Sequence, residues 1–187
     1  MKIAFVVGHS QKSQGAVDVN GLQEWSFHLP VAEKCVAIAV ARGHEAAMFL
    51  RPNGGYTTAM AALVKEINAY QPDLVVSLHF NATPTHTVSG TEALHWPGSK
   101  GGEPLAKALA EEVSKALGTR NRGAKAQTHS HSSKPLPLYI LKDTDAWASI
   151  VETHFGDVAS DVAKAMAGRQ SGALARAIVA GCERGAL

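Results

Sequence analysis

DLVVSLHFN, residues 73–81, has an apolar pattern from which the fold can be predicted. Its core is apolar and β-branched, which predicts a buried strand of a parallel sheet with apolar residues on both faces. Because side chains alternate along a strand, Leu74, Val76, Leu78 and Phe80 share one face, and Val75, Ser77 and His79 share the other. His79 then stands at the carboxyl end of the strand, where open α/β sheets form their binding sites. A strand-end histidine is by itself more often a hydrogen-bonded structural residue, so any function depends on its partners.

The segments around this strand alternate between strand and helix patterns. Strands are predicted at residues 2–7, 44–50, 91–96, 138–141 and 148–152. Helices are predicted at residues 22–42, 58–70 and 99–117, and from residue 156 onward as one or two helices broken near 168–172. Residues 119–137 are basic and polar and are expected to form a mobile loop. This order predicts an α/β fold, a mostly parallel twisted sheet flanked by helices on both faces, in a single domain over residues 1–187.

The composition narrows the range of partners. The 18 Lys and Arg residues exceed the 16 Asp and Glu residues by two, a charge of +2 that is too small to favour nucleic acid. No apolar run approaches the roughly 18 residues of a membrane span, so membrane insertion is not expected. Cys35 and Cys182 fall in helix-like segments without metal-ligand spacing and are predicted to be buried free thiols.

Three further ionisable residues fall where the predicted fold brings them to the same sheet edge as His79. His9 follows the first strand, Glu24 lies near the start of the first helix, and Glu152 ends a late strand. Carboxyl ends of parallel strands gather on one edge, so His9, His79 and Glu152 converge there and Glu24 reaches them from the helix. Two histidines and a glutamate suit a catalytic zinc ion that keeps its fourth position for water. A further carboxylate that is not a ligand can act as general base toward that water.

The surroundings of Glu152 suit proton transfer. It is flanked by Val151 and Phe155, and this apolar setting is expected to raise the pKa of its carboxyl. The candidate ligands are far apart in sequence, with no local signature of the His-Glu-x-x-His kind. From the residues alone, structural roles for all four residues therefore stay open.

Six segments of the chain carry a resemblance to a known enzyme family. In order they are VVGHS (6–10), LQEWSFHL (22–29), DLVVSLHFNA (73–82), GTEAL (90–94), RNRGAK (120–125) and IVETHF (150–155). Together they resemble the zinc-dependent N-acetylmuramoyl-L-alanine amidases of the amidase type 3 catalytic-domain family, over about residues 2–180.

The resemblance implies a role for each matching residue. It implies Zn²⁺ as the cofactor, with His9, Glu24 and His79 as ligands and Glu152 as the catalytic glutamate. Asn81, two residues past a ligand, would bind substrate or fix the loop. The implied reaction is hydrolysis of the amide between the lactyl group of N-acetylmuramic acid and L-alanine of the stem peptide. The implied partners are peptidoglycan or muropeptides, and the outcome is cell-wall lysis or remodelling.

The chain departs from the family pattern in three places. Ser10 and Gln11 follow the first histidine where the family usually has glycines, and His154 stands where a glycine is common. The segment THSHSSKPLP (128–137) has no clear counterpart, and its His129 and His131 are expected to be solvated. Two alternatives stay open: a related zinc peptidase acting on another amide, and a catalytically degenerate wall-binding module.

The N-terminal sequence bears on where the protein acts. MKIAFVVGHS has too few apolar residues for a signal peptide. We therefore expect a monomer that is made in the cytoplasm and acts on the cell wall or in the periplasm. A compact amidase of this kind resembles a phage or prophage endolysin, which is released through a holin-made lesion.

Overall fold

The structure, a computed structural model, describes residues 1–130 and 135–186. Its strands are β1 (Lys2–Val7), β2 (Glu45–Leu50), β3 (Leu74–Asn81), β4 (Thr91–His95), β5 (Asn121–Ala126) and β6 (Trp147–Phe155). Its helices are α1 (Glu24–Ala41), α2 (Tyr56–Tyr70), α3 (Gly102–Leu117), α4 (Tyr139–Asp143), α5 (Ala159–Ser171) and α6 (Ala173–Gly185). Part of the THSHSSKPLP segment, residues 131–134 with His131, lies outside the described residues.

The strands form one sheet in the order β2-β1-β3-β6-β4-β5. The neighbouring strands β2, β1, β3 and β6 run parallel to one another. Strand β4 is antiparallel to β6, and β5 is parallel to β4. The predicted mostly parallel sheet is confirmed. The carboxyl ends of β1, β3 and β6 share one edge, and the antiparallel β4 begins at that edge.

Helices cover both faces of the sheet, as predicted. The apolar side chains of one face pack with α1, α3 and α6, and this core takes Leu74, Val76, Leu78 and Phe80 from β3. The opposite face packs with α2 and α4 and takes Val75 from the same strand. Cys35 and Cys182 are buried free thiols, as expected. Among the described helices, none is both long and apolar enough to cross a membrane.

Two predicted elements are wrong. Residues 121–126 lie within the expected loop but form β5, which pairs with β4 at the edge of the sheet. The polar sequence NRGAKA gave no strand signal, because an edge strand needs little apolar surface. Residues 138–141 were expected to be a strand, but Tyr139–Asp143 is a short helix. Its adjacent Ile140 and Leu141 are both buried against the same core, whereas a strand would turn them to opposite faces.

Candidate active site

Strand ends and one helix start meet at the carboxyl edge of β3. In the register of the sheet, His79 lies beside Glu152 of β6, and Glu152 lies beside Glu92 of β4. His9 follows β1 in a left-handed conformation with φ 65°. Glu24 is the first residue of α1. The structure therefore brings together the four residues for which the sequence predicted a metal-binding or catalytic role.

His9, Glu24 and His79 form a cluster with the spacing of metal ligands. Glu24 Oε2 lies 3.0 Å from His9 Nε2, and Glu24 Oε1 lies 2.8 Å from His79 Nδ1. One potential ligand atom from each residue lies within 4.8 Å of the other two. Two imidazole nitrogens and a carboxylate are a donor set of catalytic zinc sites, so the residues present fit that ion.

Both oxygens of the Glu24 carboxylate have hydrogen-bond partners. Besides the two histidines, the backbone N–H of Ala16 donates to Oε2 and the backbone N–H of Phe80 donates to Oε1, both at 3.2 Å. Burial alone would raise the pKa of Glu24, but hydrogen bonds from His79 and His9 outweigh it and hold that pKa well below its ordinary value. Glu24 is therefore a fixed anion, the state that a metal-binding carboxylate needs.

The second ring nitrogen of His79 is held by Ser77. His79 Nε2 lies 3.0 Å from Ser77 Oγ, two residues earlier on the same face of β3. A hydroxyl can both donate and accept, and Ser77 therefore pairs with either tautomer of His79. Such outer contacts orient a metal-binding imidazole.

Two glycines in the loop between β1 and α1 leave room for the cluster. A Cβ atom on Gly8 would lie 2.5 Å from Cε1 of His79. A Cβ atom on Gly15 would lie 2.6 Å from both Glu24 Oε2 and His9 Nε2, and Gly15 has φ +83°. Neither glycine was predicted to have a role. Their signal was a glycine-containing loop next to a candidate ligand, since glycine often marks close approach.

Glu152 differs from Glu24 in having a free oxygen. Its Oε2 is buried and has no hydrogen-bond partner within residues 1–130 and 135–186. Burial raises the pKa of this carboxyl to about 8; the charge of His79 opposes the rise, and those of Glu24 and Glu92 add to it. The raised pKa expected from the apolar neighbours of Glu152 is confirmed. A carboxylate of this kind can take up and release a proton near neutral pH.

A second polar group lies on the other side of Glu152. Glu92 Oε2 accepts hydrogen bonds from Arg122 Nε at 2.6 Å and Lys125 Nζ at 2.5 Å, and its Oε1 accepts one from Asn81 Nδ2 at 3.0 Å. Burial would raise the pKa of Glu92, but Arg122 and Lys125 lower it overall. The hydrogen bond from Asn81 to Glu92 fixes the Asn81 side chain at the site. Glu92 and its two cations received no role from the sequence, although they lie in the GTEAL and RNRGAK segments.

A buried chain of neutral side chains lies beneath the cluster. His28 Nδ1 lies 3.1 Å from the carbonyl oxygen of Glu24 and donates to it, and its Nε2 lies 3.2 Å from Thr153 Oγ1, which also lies 3.2 Å from the carbonyl oxygen of His79. His154 Nδ1 lies 2.9 Å from the same hydroxyl. Burial lowers the pKa of His28 well below its ordinary value and that of His154 to about 4. His154 is therefore a buried residue beside the site, and His28 is a buried residue for which the sequence predicted no role.

Two further histidines, His95 and His129, lie outside the cluster. His95 is buried and its Nδ1 contacts the carbonyl oxygen of Trp96. His129 is exposed and pairs with the neighbouring Thr128 hydroxyl. The exposure of His129 agrees with the expectation that it is solvated.

One cavity of about 570 Å³ contains the whole site. Its lining includes all five residues for which the sequence predicted a role, namely His9, Glu24, His79, Asn81 and Glu152. Away from the cluster the cavity wall includes Met60 and Leu63 of α2 and Ile140 of α4 and is largely apolar. The polar cluster thus opens into a cavity large enough for part of an extended ligand.

Fold and site together define a class: α/β domains with a His-Glu-His cluster of the kind that holds a catalytic metal, and a separate glutamate beside it. The sequence profile of the Amidase_3 family, described as N-acetylmuramoyl-L-alanine amidase, matches residues 3–184. The chain therefore belongs to this family.

Individual relatives agree with the family match. The chain is 28% identical over 159 residues to the N-acetylmuramoyl-L-alanine amidase LytC of Bacillus subtilis (strain 168), covering 84% of this chain and 30% of the relative. It is 29% identical over 156 residues to the endolysin of Bacillus phage SPP1, covering 80% of this chain and 53% of the relative. The chain thus spans between about a third and a half of the length of these curated relatives.

Solved structures share the fold over nearly the full length. The catalytic domain of the CD27L endolysin targeting Clostridia Difficile superposes with a TM-score of 0.81 at 26% identity, covering 97% of this chain and 96% of that one. The catalytic domain of CwlV, an N-acetylmuramoyl-L-alanine amidase from Bacillus (Paenibacillus) polymyxa var. colistinus, gives a TM-score of 0.80 at 20% identity, with coverages of 97% and 96%. The second likeness bears on the fold alone.

Proposed function

We propose that this chain is a zinc-dependent N-acetylmuramoyl-L-alanine amidase, which hydrolyses the amide between the lactyl group of N-acetylmuramic acid and L-alanine in peptidoglycan. One observation carries the proposal: the unpaired, buried oxygen of Glu152 shares a cavity with the His9–Glu24–His79 cluster. A metal-ligand set beside a protonatable carboxylate is the arrangement that metal-assisted amide hydrolysis requires. The family match supplies the substrate class.

His9, Glu24 and His79 would hold the zinc ion. When bound, the ion supplies Lewis acidity toward the amide carbonyl and the attacking water. Glu24 provides a permanent negative charge at this place, and Ser77 fixes the ring of His79. Ser77 and His79 are carried by a buried strand and Glu24 by the first turn of a helix, while His9 follows the end of β1.

Glu152 performs the proton transfer in this proposal. Its carboxylate takes a proton from the water that attacks the carbonyl carbon, and it gives that proton to the nitrogen of L-alanine as the C–N bond breaks. The products are a lactyl carboxylic acid and a free L-alanyl amine, so water is consumed and the proton returns. A carboxyl whose pKa burial raises to about 8 can both accept and donate near neutral pH.

Asn81 is proposed to contact the substrate. Its side-chain amide lines the cavity, and its Nδ2 is fixed by Glu92 at 3.0 Å. The carbonyl oxygen Oδ1 also accepts from the backbone N–H of Ala82, so the side chain has one orientation. A substrate group that meets it therefore finds a preorganised partner.

We also propose a setting for the reaction. Residues 1–187 act as one monomeric catalytic domain on peptidoglycan or muropeptides at the cell wall. The match to a phage endolysin supports this place of action. Release through a holin-made lesion belongs to the same proposal.

The test is digestion of purified sacculi followed by mass spectrometry of the products. We expect intact stem peptides with new free L-alanine amino ends, no product in the presence of a chelator, and recovery on adding zinc. Elemental analysis should find one zinc per chain in the active protein. Cleavage between residues within the stem would instead identify a zinc peptidase. Binding to sacculi without any new amino ends would identify a degenerate wall-binding module.

A further inference from the structure

The cavity carries a cation that the catalytic site does not use. Arg51 lines it and follows β2 directly, while Tyr56, at the start of α2, lines the same wall. The Arg51 guanidinium carbon lies 5.4 Å from the centre of the Tyr56 ring. Pro52 comes next in the sequence and restricts Arg51 to extended backbone, which limits the directions its side chain can take.

The register of the sheet places Arg51 in the same row as the catalytic residues. Val7 of β1 pairs with both Leu50 of β2 and Leu78 of β3. One residue further along each strand, Arg51, Gly8 and His79 therefore lie side by side across the sheet. Glu152 continues this row, because it pairs with His79. Neighbouring strands are about 4.8 Å apart, so the strand of Arg51 lies roughly 10 Å from that of His79. Gly8, between them, has no side chain and leaves the row open at that point.

Arg51 also points to the correct face. Phe49, two residues earlier, packs in the same core as Val6, which is its partner in the register. Ser77 pairs with Val6 from the other side, and His79 follows Ser77 by two residues on the same face. Since side chains alternate along strands, Arg51 and His79 project from the same side of the sheet.

No carboxylate in the described ranges pairs with Arg51. The guanidinium makes no salt bridge or side-chain hydrogen bond within residues 1–130 and 135–186. By contrast, Arg122 and Lys125 are both bound to Glu92. Burial lowers the pKa of Arg51, and the charge of Tyr56 opposes this, which indicates a half-buried cation without a compensating anion. A guanidinium so placed in a cavity has its fork of donors available for a ligand.

We propose that Arg51 binds a carboxylate of the stem peptide, namely the free α-carboxylate of the γ-linked acidic residue that follows L-alanine. The planar guanidinium matches a carboxylate with two parallel hydrogen bonds. The distance of roughly 10 Å along the row is on the scale of one residue beyond the scissile amide plus the reach of the arginine side chain. The chain would therefore discriminate against stems whose second residue carries a carboxamide. This inference rests on the proposed amidase function.

The test compares two synthetic N-acetylmuramoyl-L-alanyl peptides that differ only in D-isoglutamate or D-isoglutamine at the second position. We expect the zinc-loaded wild type to prefer the carboxylate substrate by roughly 10-fold or more in kcat/KM, the usual effect of a hydrogen bond to a charged group. Arg51→Gln should lose that preference by slowing the carboxylate substrate while leaving the carboxamide substrate within about twofold. Arg176→Gln, an exposed guanidinium on α6 outside this cavity, should keep the wild-type ratio.

Equal rates for both substrates in the wild type would overturn the inference and leave the amidase function standing. An equal loss on both substrates in Arg51→Gln would also overturn it, since that result indicates a general structural role.

Binding of the two free dipeptides, measured by calorimetry, needs no turnover and separates the two proposals. If neither substrate is hydrolysed, the amidase function fails. Tighter binding of the carboxylate dipeptide to wild type than to Arg51→Gln would even then support the carboxylate site, and equal binding would overturn it.

Discussion

Glu24 and Glu152 lie at the same edge of the sheet, yet the protein treats their carboxyl groups in opposite ways. Glu24 receives two backbone N–H groups and contacts His9 and His79, so its pKa is held well below its ordinary value. Glu152 keeps one buried oxygen without a partner among the described residues, and burial raises its pKa to about 8.

The difference teaches that burial alone does not set the state of a carboxyl group. Burial is the first cause acting on both glutamates, and it raises both pKa values. The number of hydrogen-bond donors around each carboxylate determines whether its pKa ends above or below the ordinary value. In the proposed function a metal ligand must stay anionic and a proton shuttle must be able to become neutral, so one edge of the sheet provides two environments that suit these two tasks.

Exchanging each carboxylate for an amide should separate the two tasks most strongly. Glu152→Gln should lower kcat on peptidoglycan by roughly 10²–10⁴-fold, the usual value of general acid–base catalysis, while zinc stays bound. Glu24→Gln should lose both zinc and activity, because the anionic ligand is gone. Activity on sacculi and zinc by elemental analysis measure both outcomes. Full activity in Glu152→Gln would contradict its assignment as the base.

A smaller effect is expected from filling the space beside Glu24. In Gly15→Ala the new methyl group would lie 2.6 Å from both Glu24 Oε2 and His9 Nε2, so these side chains must move apart. Disturbing the groups around a metal ligand typically costs about 10- to 100-fold in metal affinity, and we expect a loss in that range, measured by competition with a chelator.

Gly21 supplies a matched control in the same loop. Its φ is also +83°, but a Cβ atom there would have no heavy atom within 4 Å. Gly21→Ala therefore carries the same backbone strain without the steric contact, and its zinc affinity should equal that of wild type. Equal affinities in both alanine variants would show that Gly15 gives the site no special room.

The contrast between the two glutamates was partly visible in the sequence. The near-continuous apolar run within residues 73–81 placed His79 at a strand end, and parallel topology then brought His9 and Glu152 to the same edge. The apolar neighbours of Glu152 predicted the direction of its pKa shift. These inferences succeed because they depend on local periodicity and on one general rule about parallel sheets.

What the sequence did not predict depends on long-range pairing. Glu92 lies opposite Glu152 because β4 inserts antiparallel between β6 and β5, and no local pattern encodes that order. Arg122 comes from an edge strand too polar to be recognised. His28 reaches Thr153 from 125 residues away in sequence. Ser77 was the exception, since its position two residues before His79 already placed it on the same face.

The smallest expected effect concerns stability and tests the environment of Glu152 without any turnover. In the metal-free protein its pKa is about 8, whereas its ordinary value is 4.5. Between these two values the folded state binds a proton that the unfolded state has lost, so raising the pH through this range lowers the free energy of unfolding. Glu152→Gln removes this loss because an amide does not ionise. We therefore expect the variant to be more stable than wild type at pH 8 by about 1 kcal/mol or more, or about 2–4 °C in Tm, with a much smaller difference at pH 4.5.

Glu66→Gln, which changes an exposed glutamate on α2, should show no such growth with pH when thermal unfolding is followed by circular dichroism. A difference between Glu152→Gln and wild type that stays constant from pH 4.5 to 8 would mean that Glu152 is already ionised in the fold, and the contrast with Glu24 would then disappear.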